Sequence, residues 1–463
     1  MTRRTFSVTT GRRWGDTVRR RDFLAAAAGV VAVGVNPGGA LAATKQKPGA
    51  SGLPDLDLGD FPVVARVRAR RALEHLKVLS DRIGPRIGGT ESEHRARDYL
   101  VKVLRELRYE VTTQPFTVPD KFLGEITARG GKRWQSGASR FGALGVTVRA
   151  PFVDLGDGSQ LPDDLTGKIA LFVNSPAGSV PTLQAVERGA VAVLLGRASV
   201  PPATKSPAFS PVLTQTVAVP VLGVAQVHVE RLRAQGPGEL TVATTHHPNL
   251  TSYNVIADRR ATFPGPDNGV VMVSAHYDSV PGSPGANDDG SGTVLCLELA
   301  RVLRYLPTHK ALRFALWGSE EQGLLGSRYH VAQLTPPDIA RIAGVFQNDM
   351  VATSHDPATA YWLLSLNGAD NATTREVAAA AKRLGYDPRV HGPVARGSSD
   401  HVPFHEKGIA AANFSWRGEE GPHLLEPIYH TPEDTIADNI SLERLQVSLE
   451  LIGSAAYRLA CTR

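Results

Sequence analysis

Val270 to Gly292 reads VVMVSAHYDSVPGSPGANDDGSG. Its opening run, Val270 to Ser274, is almost wholly apolar and β-branched, the composition of a strand buried on both faces. Polarity begins where that run stops, at His276, Tyr277 and Asp278. A Gly/Pro-rich loop then brings in Asp288, and Gly290 to Gly292 pass into TVLCLELARVL, a helical pattern. In an open α/β sheet, ligands bind just outside the carboxyl ends of the strands. A His and an Asp delivered there on glycine-rich backbone have the character of metal ligands.

Outward from this stretch, strand and helix signals alternate. Strands are expected at NVIA, VVMVSA, ALRFALW, AGVFQN, YWLLSL and AANFSW, with helical patterns between several of them. Such alternation implies an α/β fold with a mostly parallel sheet flanked by helices. Leu442 to Leu459 reads as a closing amphipathic helix. Upstream, Val63 to Leu79 and SEHRARDYLVKVLREL carry helical periodicity, and RYEVTTQPF (108–116) reads as a strand. Composition shifts near residue 120. From there to about 246 the chain is richer in β runs, with core strands expected at GKIALFV, AVAVLL and VAVPVLGV, and a helix end at AVERGA closed by Gly189. That middle stretch holds no His/Asp/Glu cluster of ligand type, so it is expected to shape access rather than perform chemistry.

The 463 residues suffice for two or three domains and a sizeable core, and 42% hydrophobic with 21% charged residues suits a globular protein. Seven arginines and two aspartates in residues 1–42 account for five of the six net positive charges, leaving +1 for the remainder. The basic character thus belongs to the leader, and nothing argues for nucleic-acid binding. The leader itself has Arg20 and Arg21, the apolar run Leu24 to Val35 and a small-residue cleavage site at Ala40 to Ala42. It resembles a twin-arginine export signal too short to be a comfortable membrane span. Residues 43–61 read as a linker. Localisation is therefore expected to be extracytoplasmic, with no stable membrane association after cleavage. Cys296 and Cys461 are the only cysteines, which excludes a disulfide framework and a thiolate zinc site; a single bridge or two free thiols are both compatible with export.

More acidic and imidazole groups follow the strands. Glu320 and Glu321 come just after ALRFALW, Asp349 just after AGVFQN, and Tyr429 with His430 in the loop beyond residue 425. Imidazole and carboxylate ligands without Cys suit Zn²⁺ in a catalytic site. Five of these groups can hold two ions, with the two oxygens of Asp288 as the natural bridge and one carboxylate left over. Two ions about 3.5–4 Å apart can share a hydroxide and clamp both oxygens of a tetrahedral intermediate. Adjacent glutamates at a strand end point in different directions, so one can ligate while the other exchanges a proton with the attacking water.

HYDS, GANDDGSG, RFALWGSEEQGLLGS, NDM, SSDHVPF and IYHTPEDT stand in this order, with HLKVLSDRIGPRIGGT and DYLVKVLRELRYEV upstream. These blocks resemble the co-catalytic dizinc exopeptidases of metallopeptidase family twenty-eight, of the secreted bacterial aminopeptidase type. VDLGDGSQLPDDLTGKIALF and ERGAVAVLL are similar to a protease-associated domain inserted into the catalytic fold. The resemblance implies a three-layer zinc exopeptidase fold split as 62–123 and 248–463 around an insert at 124–247. It further implies two Zn²⁺ per chain: His276 and Asp349 on one, Glu321 and His430 on the other, Asp288 bridging. Glu320 would be general base and acid, and Tyr429 an oxyanion donor. Asp278 would orient His276, and Asp400 with His401 would support the pocket.

The expected activity is an aminopeptidase acting on peptides. A carboxypeptidase or dipeptidase on the same metals would need a cation for a terminal carboxylate, for which Arg396 and Arg417 are candidates. A non-catalytic binding protein is the reading from a different class, against which the full ligand set stands. His423 is a candidate for the pocket border. His246 and His247, with no acid near them in sequence, read as an exposed domain junction.

Overall fold

The structure, a computed structural model, describes residues 57–463 apart from 175–179, 198–203 and 266–267. The leader at 1–42 and most of the 43–61 linker lie outside the described residues.

Fifteen strands are present among the described residues: β1 (Glu110–Val118), β2 (Lys121–Thr127), β3 (Arg133–Ala138), β4 (Thr147–Asp154), β5 (Ile169–Val173), β6 (Ala192–Gly196), β7 (Val221–Val224), β8 (Glu239–His247), β9 (Leu250–Arg259), β10 (Val270–His276), β11 (Ala311–Trp317), β12 (Ile342–Asn348), β13 (Ala360–Ser365), β14 (Val390–Ala395) and β15 (Ala411–Arg417). Eight form one sheet in the order β1-β9-β11-β10-β12-β15-β13-β14, and seven close into a barrel, β2-β3-β7-β6-β5-β4-β8.

The large sheet is parallel at its centre. β11, β10, β12 and β15 run in the same direction, while β1, β9 and β13 join antiparallel and β14 pairs parallel with β13. Parallel neighbours need crossovers, and helices supply them. Every residue of β10 is buried, as its apolar run requires. Helices lie on both faces. Gly292–Leu303 and Leu442–Cys461 pack on one, over a core with Val271, Val273, Phe314 and Phe414. Leu325–Ala332 and His401–Glu406 lie against the other, around Met272, Trp317 and Phe404. Gly292–Leu303 is apolar almost all round and is accordingly buried nearly all round. The closing helix starts where the Ser441 side chain accepts from Arg444 N, an N-cap that satisfies one orphan donor.

The barrel fills itself with Ile126, Trp134, Leu171, Leu194, Leu222 and Val242. It also touches the loops at the carboxyl edge of the sheet. Gly282 N donates to Gln135 Oε1 (3.0 Å), Lys121 Nζ to Gln322 Oε1 (2.5 Å), and Lys205 N to Pro427 O (2.7 Å).

The antiparallel pairing of β2 with β8 corrects one expectation. It sets Phe122 opposite His246 and carries Asp120 to within 2.8 Å of His246 Nε2, so that histidine has an acid partner 126 residues away in sequence. The ring also stacks on Phe122 at 4.8 Å. Cys296 and Cys461 are both free.

His228 lies buried, stacked on Trp134 of the barrel at 4.6 Å, and burial holds its pKa down at about 3 against an ordinary 6.5. Between those values the unfolded chain binds a proton that the folded barrel refuses. Stability therefore falls as pH drops from the unfolded value toward the folded one. The His228→Phe variant is expected to lose about 1–2 kcal/mol less than the parent between about pH 7 and about pH 5, read from urea midpoints.

Candidate metal centre

Each donor arrives at the carboxyl edge of the sheet by a different local device. His276 is the last residue of β10. β11 ends at Trp317, and Ser319 takes a left-handed φ of 54° before a 3₁₀ turn over Glu320–Gln322. A 3₁₀ turn has three residues per turn, so adjacent side chains diverge by about 120°. The divergence of Glu320 and Glu321 comes from this turn rather than from strand alternation. Asp349 follows β12 and precedes Met350 at φ 64°; His430 itself stands at φ 62°. Non-glycine residues are uncommon in that region and cost energy there, and such positions cluster at functional sites.

The sequence-expected donors converge. His276 Nε2 lies 3.2 Å from Asp288 Oδ1, and His430 Nε2 lies 2.9 Å from Asp288 Oδ2 and 3.1 Å from Glu321 Oε2. The two oxygens of Asp288 thus face different imidazoles. His276, Glu320 and Asp349 offer ligand atoms within 4.8 Å of one another, and so do Asp288, Glu321 and His430. Glu320 Oε2 is 3.9 Å from His276 Nε2. Asp278 Oδ1 sits 3.4 Å from His276 Nδ1, and its two oxygens accept from the backbone N–H of Glu320 (3.0 Å) and Glu321 (3.3 Å). One carboxylate therefore aligns the imidazole and the glutamate turn together.

The electrostatics follow from crowding acids in a buried space. Burial works against ionisation of Asp288, but the two imidazoles outweigh it and hold its pKa below the usual carboxylate range. Burial, with repulsion from Asp400, Glu321 and Asp349 opposing the pull of His276, raises Glu320 well above its ordinary value. Burial and four nearby carboxylates keep the Tyr429 phenol protonated, and its ring stacks on His430 at 3.7 Å. Burial lifts Asp400 to about 7, and its carboxylate accepts from Ser327 Oγ. Burial lowers His401 to about 4; its Nε2 is 2.8 Å from Arg396 O, so it braces that backbone and stands apart from the donor cluster.

Sequence reasoning passed over several residues that hold this cluster. Asp289 accepts from the backbone N–H of His276, Gly292 and Met350, tying three ligand segments to one carboxylate. Asp434 accepts from the backbone N–H of Asn287 and Asp288, fastening the His430 loop to the bridging aspartate. Arg86, fully buried, donates to the carbonyls of Tyr277, Pro284 and Gly285 and shapes the loop between His276 and Asp288. Asp289 and Asp434 lie inside blocks that carry donors, so adjacency was the available signal for them; Arg86 lies in an upstream block that carries none.

The donors fit zinc. They are nitrogen and oxygen only, and Glu321 Oε1 and His430 Nε2 are buried yet form no hydrogen bond in the protein. Close polar atoms that do not hydrogen-bond one another are the arrangement a cation gathers.

A sequence profile described as peptidase family M28 matches residues 254–456. Aminopeptidase YwaD of Bacillus subtilis is 37% identical over 397 residues, 84% of each chain. The chain belongs to peptidase family M28. This M28 metallopeptidase also matches the solved structure of BSAP, a zinc aminopeptidase from Bacillus subtilis, at 36% identity and a TM-score of 0.63, over 86% of this chain and 96% of that one. An aminopeptidase from Aneurinibacillus sp. strain AM-1 matches at 30% identity and a TM-score of 0.57, over 87% and 97%.

Removing the shared carboxylate should empty the site. Asp288→Ala is expected to bind less than half the zinc of the parent after dialysis, measured by atomic emission, while far-ultraviolet circular dichroism stays unchanged.

Proposed function

We propose that this M28 peptidase is an exported, zinc-dependent aminopeptidase that removes residues from the free N-terminus of peptides. The observation that carries the reading is Asp288 dividing its oxygens between two imidazoles while Glu320 stands beside them with a raised pKa. The zinc aminopeptidase named among its relatives supports it. In this reading His276 and Asp349 would hold one zinc ion, Glu321 and His430 a second, and Asp288 would serve both. Zinc held there would supply Lewis-acid polarisation of the scissile carbonyl and would lower the pKa of an attacking water.

The protein's own groups do the rest. Glu320 accepts a proton from the attacking water and returns it to the leaving amine, a task suited to a carboxyl tuned upward by burial. Asp278 keeps the His276 imidazole aligned through its second ring nitrogen. Tyr429, kept as the phenol, donates to the carbonyl oxygen as negative charge develops. The carboxylates that crowd the site suit a free α-ammonium group, which favours exopeptidase action. The barrel is proposed as a protease-associated insert over 124–247, bordering the site through Gln135 and Lys205. Residues 1–42 are proposed as a twin-arginine signal, and no described helix is long and apolar enough to cross a membrane.

Two measurements test this. Amino-acyl anilides should be cleaved by the zinc-loaded enzyme and acyl-blocked dipeptides should not; cleavage of the blocked substrates alone would overturn the aminopeptidase reading. Glu320→Gln should keep its zinc and lose about 10²–10⁴-fold in kcat. Loss of zinc in parallel with activity would show that Glu320 is a ligand instead.

A further inference from the structure

Arg417 ends β15, beside the turn that presents Asp349. Its backbone neighbour Trp416 donates to Met350 O (3.1 Å), and its own Nη2 reaches only the Met350 sulfur at 3.9 Å. The residue is 3% exposed, yet Nε and Nη1 are buried without a hydrogen-bond partner. A buried guanidinium with donors unmet is costly unless something supplies an acceptor. The Arg417 charge draws two buried carboxyls downward against their burial, Asp349 and Glu426, and Asp349 belongs to the donor cluster.

A second cation acts on the same carboxylate. Burial, then the charge of Arg417, pushes Arg396 down to about 10, while Asp349 and Tyr429 pull the other way. The Arg396 side chain is fixed by neutral partners: Nε donates to Ser398 Oγ (3.0 Å), and Nη1 reaches Pro422 O (3.0 Å) and His423 Nδ1 (2.7 Å). His401 holds its carbonyl from below. Among the described residues neither arginine makes an ion pair with a carboxylate. Arg417 thus keeps two donors unmet while a second guanidinium acts on the same carboxylate, and unmet guanidinium donors suit an anionic oxygen acceptor.

We propose that Arg417 and Arg396 form a carboxylate-binding subsite beside Asp349, selecting peptides that carry a carboxylate near the scissile bond. This rests on the aminopeptidase reading above. The carboxylate comes either from an acidic first side chain or from the free α-carboxylate of a dipeptide.

The test uses the full zinc-loaded chain carrying Glu320→Gln, so that ligands bind without turnover. Titration calorimetry compares leucyl-leucine with leucyl-leucinamide, and α-glutamyl-leucinamide with α-glutaminyl-leucinamide. At least one carboxylate ligand should bind about tenfold tighter than its neutral partner. The first pair reports an α-carboxylate and the second a side chain. Adding Arg417→Gln or Arg396→Gln should bring that ratio to near one. Ratios near one in the parent, or a ratio that survives both substitutions, would overturn the subsite. Zinc content and melting temperature check Arg417→Gln, and if it misfolds the more exposed Arg396→Gln decides alone. Wild-type turnover of leucyl-leucinamide reads the aminopeptidase proposal separately: turnover with flat binding ratios removes the subsite only, and a selective ratio without turnover removes the aminopeptidase reading only.

Discussion

Acid crowding governs this molecule. Asp278, Asp288, Asp289, Glu320, Asp349 and Asp400 are all buried at one edge of the sheet. Two like charges about 4 Å apart repel by about 4 kcal/mol at the effective dielectric of a protein surface, and burial adds a desolvation penalty. A chain gains nothing in stability from collecting such groups unless positive charge is collected with them. Arg86 supplies part of it, and the buried Glu321 and His430 atoms that meet no hydrogen-bond partner point to cations as the rest. The family relationship to zinc peptidases is consistent with that electrostatic demand.

The scaffold meets the demand with rigid backbone rather than with long flexible side chains. His276, Glu320, Glu321 and Asp349 lie at or just beyond strand ends and Asp288 and His430 on longer loops, and left-handed residues at Ser319, Met350 and His430 redirect the chain there. Outer carboxylates then bind backbone N–H groups instead of one another. Asp289 gathers the starts of three segments, Asp434 joins two loops, and Asp278 spans an imidazole and a turn. A carboxylate that accepts backbone donors keeps its charge at lower cost than one left bare. The same groups that relieve repulsion therefore also fix the donor geometry that catalysis needs.

The barrel stands in a different relation to the site. It has its own apolar filling, and among the described residues it donates no group to the donor cluster. Its loops instead bind loops that carry the chemistry, through Gln135 to Gly282 and Lys205 to Pro427 and Glu433. This gives the insert a hold on how those loops sit.

Much was legible from the one-dimensional pattern. The apolar run of β10 announced a doubly buried strand, because no half-exposed strand tolerates such a composition. His276, Asp288, Glu320, Glu321, Asp349 and His430 stand out in the sequence as imidazole and carboxylate groups beyond the strands, the donor types zinc takes, and the fold brings their side chains together. What the linear order could not contain was partnership across distance. Asp120 beside His246, Asp434 beneath Asp288 and Arg417 beside Asp349 are set by strand pairing and loop packing between segments far apart in the chain. Residue type fixes what a side chain is able to do; only the folded arrangement decides which other charge stands next to it, because Coulomb and hydrogen-bond energies depend on separation in space and not along the chain.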